Sequence, residues 1–64
     1  MNKHYTYNII EYVEHSNYLP RQYGAAVLTV DISTDPEDAL KLAVEDAETM
    51  HGLNVLVTDF KEIK

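Results

Sequence analysis

The sequence predicts a small α+β domain with the order strand, strand, helix, strand. Its three strands form one sheet and its helix packs on one face. Three observations predict this. Two β-rich runs, Tyr5–Glu14 and Tyr23–Ile32, flank a polar segment broken by Pro20. A stretch led by Pro36 carries apolar residues at helical spacing. A third β-rich run begins at Leu53, just after Gly52. With 64 residues there is room for a single domain, 1–64.

In the first strand, Tyr5, Tyr7 and Ile9 share a face. Glu11 then falls on that same face, while Ile10 and Tyr12 oppose it. A bulge near Ile10, or a strand apolar on both sides, reconciles the pattern. The segment Ser16–Gln22 is longer than a tight hairpin needs, which makes it a candidate for contacts beyond connection. In the second strand, Ala26, Leu28, Val30 and Ile32 form an inner face, and Tyr23, Ala25 and Val27 make the opposite face half apolar. Apolarity on both sides suits a central strand.

Ser33 belongs to the turn from strand to helix. Asp35 is the expected N-cap, its carboxylate accepting a backbone N–H of the first turn. Pro36 suits the first helical position, and Glu37 and Asp38 complement the helix dipole. Ala39, Leu40, Ala43, Val44, Ala47 and Met50 form one apolar stripe, and Gly52 stands where a left-handed C-cap belongs. The helix is therefore expected from Pro36 to Met50 or His51. The last strand runs from Leu53 to Phe60 and could reach Ile63. Leu53, Val55 and Val57 lie on one face, Leu56 and Phe60 on the other. Two strand orders remain open. In one the third strand pairs with the second through a parallel crossover. In the other it pairs with the first, giving a fully antiparallel sheet in the order 2-1-3.

The formal net charge is −6, and it belongs to the second half of the chain. Lys3, Arg21, Glu11 and Glu14 cancel in residues 1–30, whereas residues 31–64 carry nine acids against Lys41, Lys61 and Lys64. Direct nucleic-acid binding is disfavoured, because phosphate contacts need clustered Lys and Arg. With no cysteine there are no disulfides or thiolate metal sites, and a reducing cytoplasm is compatible. No apolar run approaches the ~20 residues of a membrane-spanning helix. The opening Met1–Tyr5 lacks the apolar core of a signal peptide, so a soluble cytoplasmic protein is expected. A chain this short buries only about 60% of the surface its unfolded form exposes. One helix covers one sheet face, so a homodimer through the open face is a natural way to add burial.

Catalytic parts are sparse. His4, His15 and His51 have no partner at metal-ligand spacing, and no metal or cofactor is expected. Ser16 and Ser33 sit in turns, outside any nucleophile elbow. Gly24 and Gly52 make no phosphate-holding loop. A small enzyme using Tyr, His and Glu across a dimer interface is a third, weaker reading. The chain is otherwise read as no enzyme.

Three features point instead to contact with another protein. On the helix, Glu37, Asp38, Glu45 and Glu48 share a flank around Lys41, with Asp46 on the far side. Glu45, Asp46 and Glu48 lie beyond the first turn and gain nothing from the dipole. The ordinary reading of such a row is a solvated helix face; the sharper one makes them candidates for steering toward a basic surface. Leu42 lies opposite the apolar stripe, as an anchor in a polar rim or as an ordinary exposed leucine. Tyr18, Leu19 and Arg21 in the long loop form the third group, since Tyr and Arg are enriched at interface hot spots. The competing reading has Tyr18 and Leu19 folding back over the core.

The helix start Thr34-Asp35-Pro36-Glu37-Asp38-Ala39 resembles that of small antitoxins of the HicB type over those six residues, and no site is carried across. Size, acidity and the lack of catalytic parts look like phage- or plasmid-encoded inhibitors. The first expectation is a small acidic, non-enzymatic protein-binding module. It would inhibit a nucleic-acid-handling host protein by steric and electrostatic blocking. The alternative is a structural or assembly subunit that homo-oligomerises through its open sheet face.

Overall fold

A computed structural model describes residues 1–12 and 19–64. Its elements are β1 (Asn2–Glu11), β2 (Gln22–Asp31), α1 (Pro36–His51) and β3 (Val55–Ile63). The three strands form one antiparallel sheet in the order β2-β1-β3, with α1 on one face. The expected α+β architecture is present. The central strand is β1, not β2, because the helix carries the chain over the sheet to β1's other edge. β1 starts three residues earlier than expected and its described part ends at Glu11; the expected end at Glu14 lies outside the described residues. β3 begins at Val55 rather than Leu53 and reaches Ile63.

The core is built from tyrosines and alanines. Tyr5, Tyr7 and Ile9 of β1, Leu28 and Val30 of β2, and Val55 of β3 are buried against Ala39, Ala43 and Ala47 of α1. The three alanines recur every fourth residue, so they form one line down the helix. They let the helix backbone approach the tyrosine rings closely. An aromatic ring buries about 150–250 Å², so the sheet supplies most of the apolar burial and the helix supplies the lid. Phe60 completes the layer. Its ring stacks on Tyr5 at 4.7 Å and lies 6.2 Å from Tyr7.

Both partner strands change phase beside β1. Between the pairs Ile9–Gly24 and Ile10–Gln22, β2 contains the extra residue Tyr23, and Gly24 has φ +120°. Between the pairs Thr6–Lys61 and Asn8–Thr58, β3 sets Asp59 and Phe60 against Tyr7 alone, with Asp59 at φ 54°. An extra residue reverses the inside–outside alternation beyond it. Tyr23 is thereby brought to the helix side, where its ring stacks on His51 at 4.2 Å. Phe60 joins Val55 and Val57 on that side instead of opposing them. The irregularity expected near Ile10 is present, but the extra residue belongs to β2, and Glu11 stays on the helix side of β1, half-buried.

The ends of α1 differ in detail from expectation. Asp35 is the N-cap, but its side chain makes no capping hydrogen bond; its backbone carbonyl accepts the Ala39 N–H at 2.9 Å. The side chain that organises this turn is Asp31, whose carboxylate accepts the Ser33 backbone N–H at 3.0 Å and the Ser33 hydroxyl. These two bonds, with Lys3 nearby, hold the Asp31 carboxyl below its ordinary range. At the other end the Gly52 N–H donates to the Glu48 carbonyl at 2.8 Å, and φ 89° with ψ −173° puts Gly52 in a positive-φ conformation that glycine alone adopts readily, outside the left-handed helical region.

Candidate functional site

The sequence-predicted contact residues fall into two groups. Leu42, Glu45 and Asp46 occupy the middle of α1, all exposed. Leu42 is 42% exposed and stands between Asp38 and Asp46, one turn away on either side. Burial raises the Tyr7 pKa, and the negative charge of Asp46 raises it further.

Leu19, Arg21 and Glu48 form the second group, at one end of the molecule. The Arg21 carbonyl accepts the Glu11 N–H at 2.8 Å, and the Tyr12 N–H donates to the Asn54 carbonyl at 2.9 Å. These bonds and the Tyr23–His51 stack bring the hairpin end beside the last turn of α1, where Glu48 is half-buried. Leu19 is 92% exposed, so it does not fold back over the core. Tyr18 lies outside the described residues. The structure thus does not gather all the predicted contact residues into one surface.

Sequence reasoning missed two features. Met50, expected in the buried stripe, is 69% exposed because it stands at the last turn of the helix, and Leu53 is 81% exposed in the turn before β3. With Tyr12 and Leu19 they make the hairpin end apolar. The second missed feature is a polar row along the open face of β1. The His4 Nδ1 and Thr29 Oγ1 are 2.8 Å apart, and the Asn8 amide donates to the Asp59 carboxylate at 2.9 Å. Thr6, Asn8, Ala25, Asp59 and Lys61 line an open depression of about 450 Å³ on this face. The polar row separates Val27 on one side from Leu56 and Ile63 on the other. The open face is therefore less continuously apolar than the sequence suggested. The reason is that the two bulges send Tyr23 and Phe60 to the helix side.

Among the described residues, no cluster of His, Asp and Glu could hold a metal ion. Among the same residues, no helix is long and apolar enough to cross a membrane. No protein-family model matches the chain, and no curated protein or solved structure matches it either. Among the described residues the geometry thus offers surfaces for association: an acidic helix on which Leu40 and Leu42 are both exposed, an apolar hairpin end and a sheet whose outer edges, on β2 and β3, pair with no further strand.

Proposed function

We propose that this chain is a non-enzymatic protein-binding module whose acidic helix meets a basic surface on its partner. The observation that carries the reading is the setting of Leu42, 42% exposed among Asp38, Glu45 and Asp46 on a helix that does not need those later acids to fold. Desolvating one leucine inside a charged rim is how interface anchors work. Acid spread over the rest of the flank raises the encounter rate with a positively charged groove. The partner class that fits is a protein that handles nucleic acid in the cytoplasm, blocked sterically and electrostatically at its phosphate-binding surface. The test is capture of such a partner from host extract at about 50 and 500 mM salt, where screening differs severalfold. The wild-type chain is compared with Leu42→Ala and with the Glu45→Gln, Asp46→Asn, Glu48→Gln combination. Capture lost at high salt and in both variants supports the reading; capture indifferent to salt overturns it.

A second reading is an assembly subunit that associates with its own kind in the cytoplasm. It is favoured by Val27, Leu56 and Ile63, all exposed on the face that α1 leaves open. Sedimentation of the purified chain tests it, and a strict monomer at every concentration rules it out.

A further inference from the structure

We infer that the free edge of β2 pairs antiparallel with the same edge of a second copy, joining two sheets into one of six strands. This rests on the assembly reading and moves its contact from the open face to the strand edge.

The hydrogen-bond pattern shows which backbone groups of β2 have no partner among the described residues. The Ile32 N–H donates to the Met1 carbonyl, and the Glu11 N–H to the Arg21 carbonyl. Bonded and non-bonded pairs alternate along an antiparallel ladder. Ala26, Leu28 and Val30 therefore point their backbone groups at β1, opposite Tyr7, Tyr5 and Lys3. Ala25, Val27 and Thr29 point theirs away from the sheet, in a regular run beyond the Gly24 irregularity.

The two edges of the sheet are not alike. β3 is interrupted at its middle by the left-handed Asp59, and Asp59, Lys61 and Glu62 put charge along it. A bulge and charged side chains are devices that stop an edge from pairing. β2 has neither device in its regular part. Residues 22–30 contain no charge and no proline.

A second copy fits this edge for two reasons. Antiparallel pairing of identical strands about Val27 sets Ala25 against Thr29, and each side chain meets one on the same face. The same register sets Asp31 of one copy against the uncharged Tyr23 of the other and Arg21 against Ser33, so no like charges face each other along the strand.

The experiment is sedimentation of the full chain at about 1 and 100 µM, bracketing a micromolar contact, together with amide hydrogen exchange at both concentrations. The inference expects a dimer at the higher concentration. It also expects the Ala25, Val27 and Thr29 amides to exchange at least about tenfold more slowly there, while Val55 and Val57 on the opposite edge do not change. Val27→Pro removes an outward N–H that the hairpin does not use, and should give a folded monomer. Val27→Thr keeps the N–H and the strand preference, and should still dimerise. Because both copies are acidic, dimerisation should strengthen with salt, opposite to capture of a basic partner. A monomer at both concentrations overturns both this inference and the assembly reading. A dimer lost in a Leu56→Ser, Ile63→Ser variant, with no slowing of the Ala25, Val27 and Thr29 amides, keeps the assembly reading and overturns the β2 edge. The exchange measurement needs no variant, so it decides even if Val27→Pro does not fold.

Discussion

The side-chain amide of Asn8 donates to the carboxylate of Asp59 at 2.9 Å, and Asp59 is the one non-glycine residue with positive φ among the described residues. The pair holds the β3 bulge in place from the neighbouring strand. Asp tolerates the left-handed region better than most residues, but the conformation still carries some strain. Asn8→Ala should therefore destabilise the fold by about 0.5–1.5 kcal/mol, the net worth of one hydrogen bond. Asp59→Gly should fall closer to wild type, since relief of strain offsets the lost bond. Asp59→Val has neither compensation and should be the worst of the three. Urea unfolding of the three variants checks the order, and Asp59→Gly falling below Asn8→Ala would sink it.

The bulge makes an unusual deletion tolerable. Removing one residue from a strand normally turns every later side chain to the wrong face. Deleting Asp59 leaves Phe60 directly after Thr58, opposite Tyr7 and on the helix side where it already packs. The Asp59 deletion should keep a cooperative unfolding transition. Deleting Thr6 from β1, which contains no extra residue, would put Tyr5 and Tyr7 on opposite faces and should abolish it. Thermal melts followed by near-UV circular dichroism separate the two.

How far the sequence could be read depended on whether each signal was local. The helix was legible because Pro36, the acids behind it and the spacing of Ala39, Ala43 and Ala47 all act within a few residues. The expected Asp35 cap was not realised, because Asp31 and Ser33 organise the same turn instead. Strand order was not legible, since it depends on which edge of the hairpin the helix returns to. The faces of Tyr23 and Phe60 were misread because strict alternation was assumed. The signal was present, though: the buried or partly buried positions 23, 26, 28, 30 and 55, 57, 60 each contain one step of three. For the candidate site, the exposure of Leu42 followed from its place on the helical wheel. That of Met50 did not, because it depends on where the sheet ends beneath the last turn.

Ala43 is fully buried in the line of alanines that faces the sheet. A larger side chain there must lift α1 off the tyrosines. Ala43→Leu should cost about 1–3 kcal/mol, a typical overpacking penalty. In a domain of this size that lowers the melting temperature by roughly 4–8 °C per kcal/mol. Ala43→Leu melting at or above wild type would show that the alanines do not set the helix–sheet distance.

The Tyr5 side chain is buried, and among the described residues its hydroxyl has no hydrogen-bond partner. An unsatisfied buried hydroxyl carries a desolvation penalty with no return. Tyr5→Phe keeps the ring that stacks on Phe60 and removes only the oxygen. It should leave stability unchanged or raise it by about 1 kcal/mol. A loss of that size in urea unfolding would mean that the hydroxyl has a partner after all.

Tyr7 ties the acidic helix to the core. Its pKa lies above the ordinary tyrosine value of 10.0, first because it is buried and second because Asp46 is near. The sign of the pH effect follows from proton binding. Above the unfolded value the unfolded chain releases the tyrosine proton while the folded chain keeps it, so unfolding is increasingly favoured. The contribution is fully present below pH 10.0 and is lost as pH rises through the higher folded value. Tyr7→Phe should flatten this alkaline limb of the stability curve. Asp46→Asn should bring the Tyr7 pKa down toward ordinary without reaching it, because burial remains. Spectrophotometric titration of tyrosinate in the two variants reads this directly. No change in Asp46→Asn would mean that Asp46 acts only at the surface, and its place in the proposed contact would then be free of any duty to the fold.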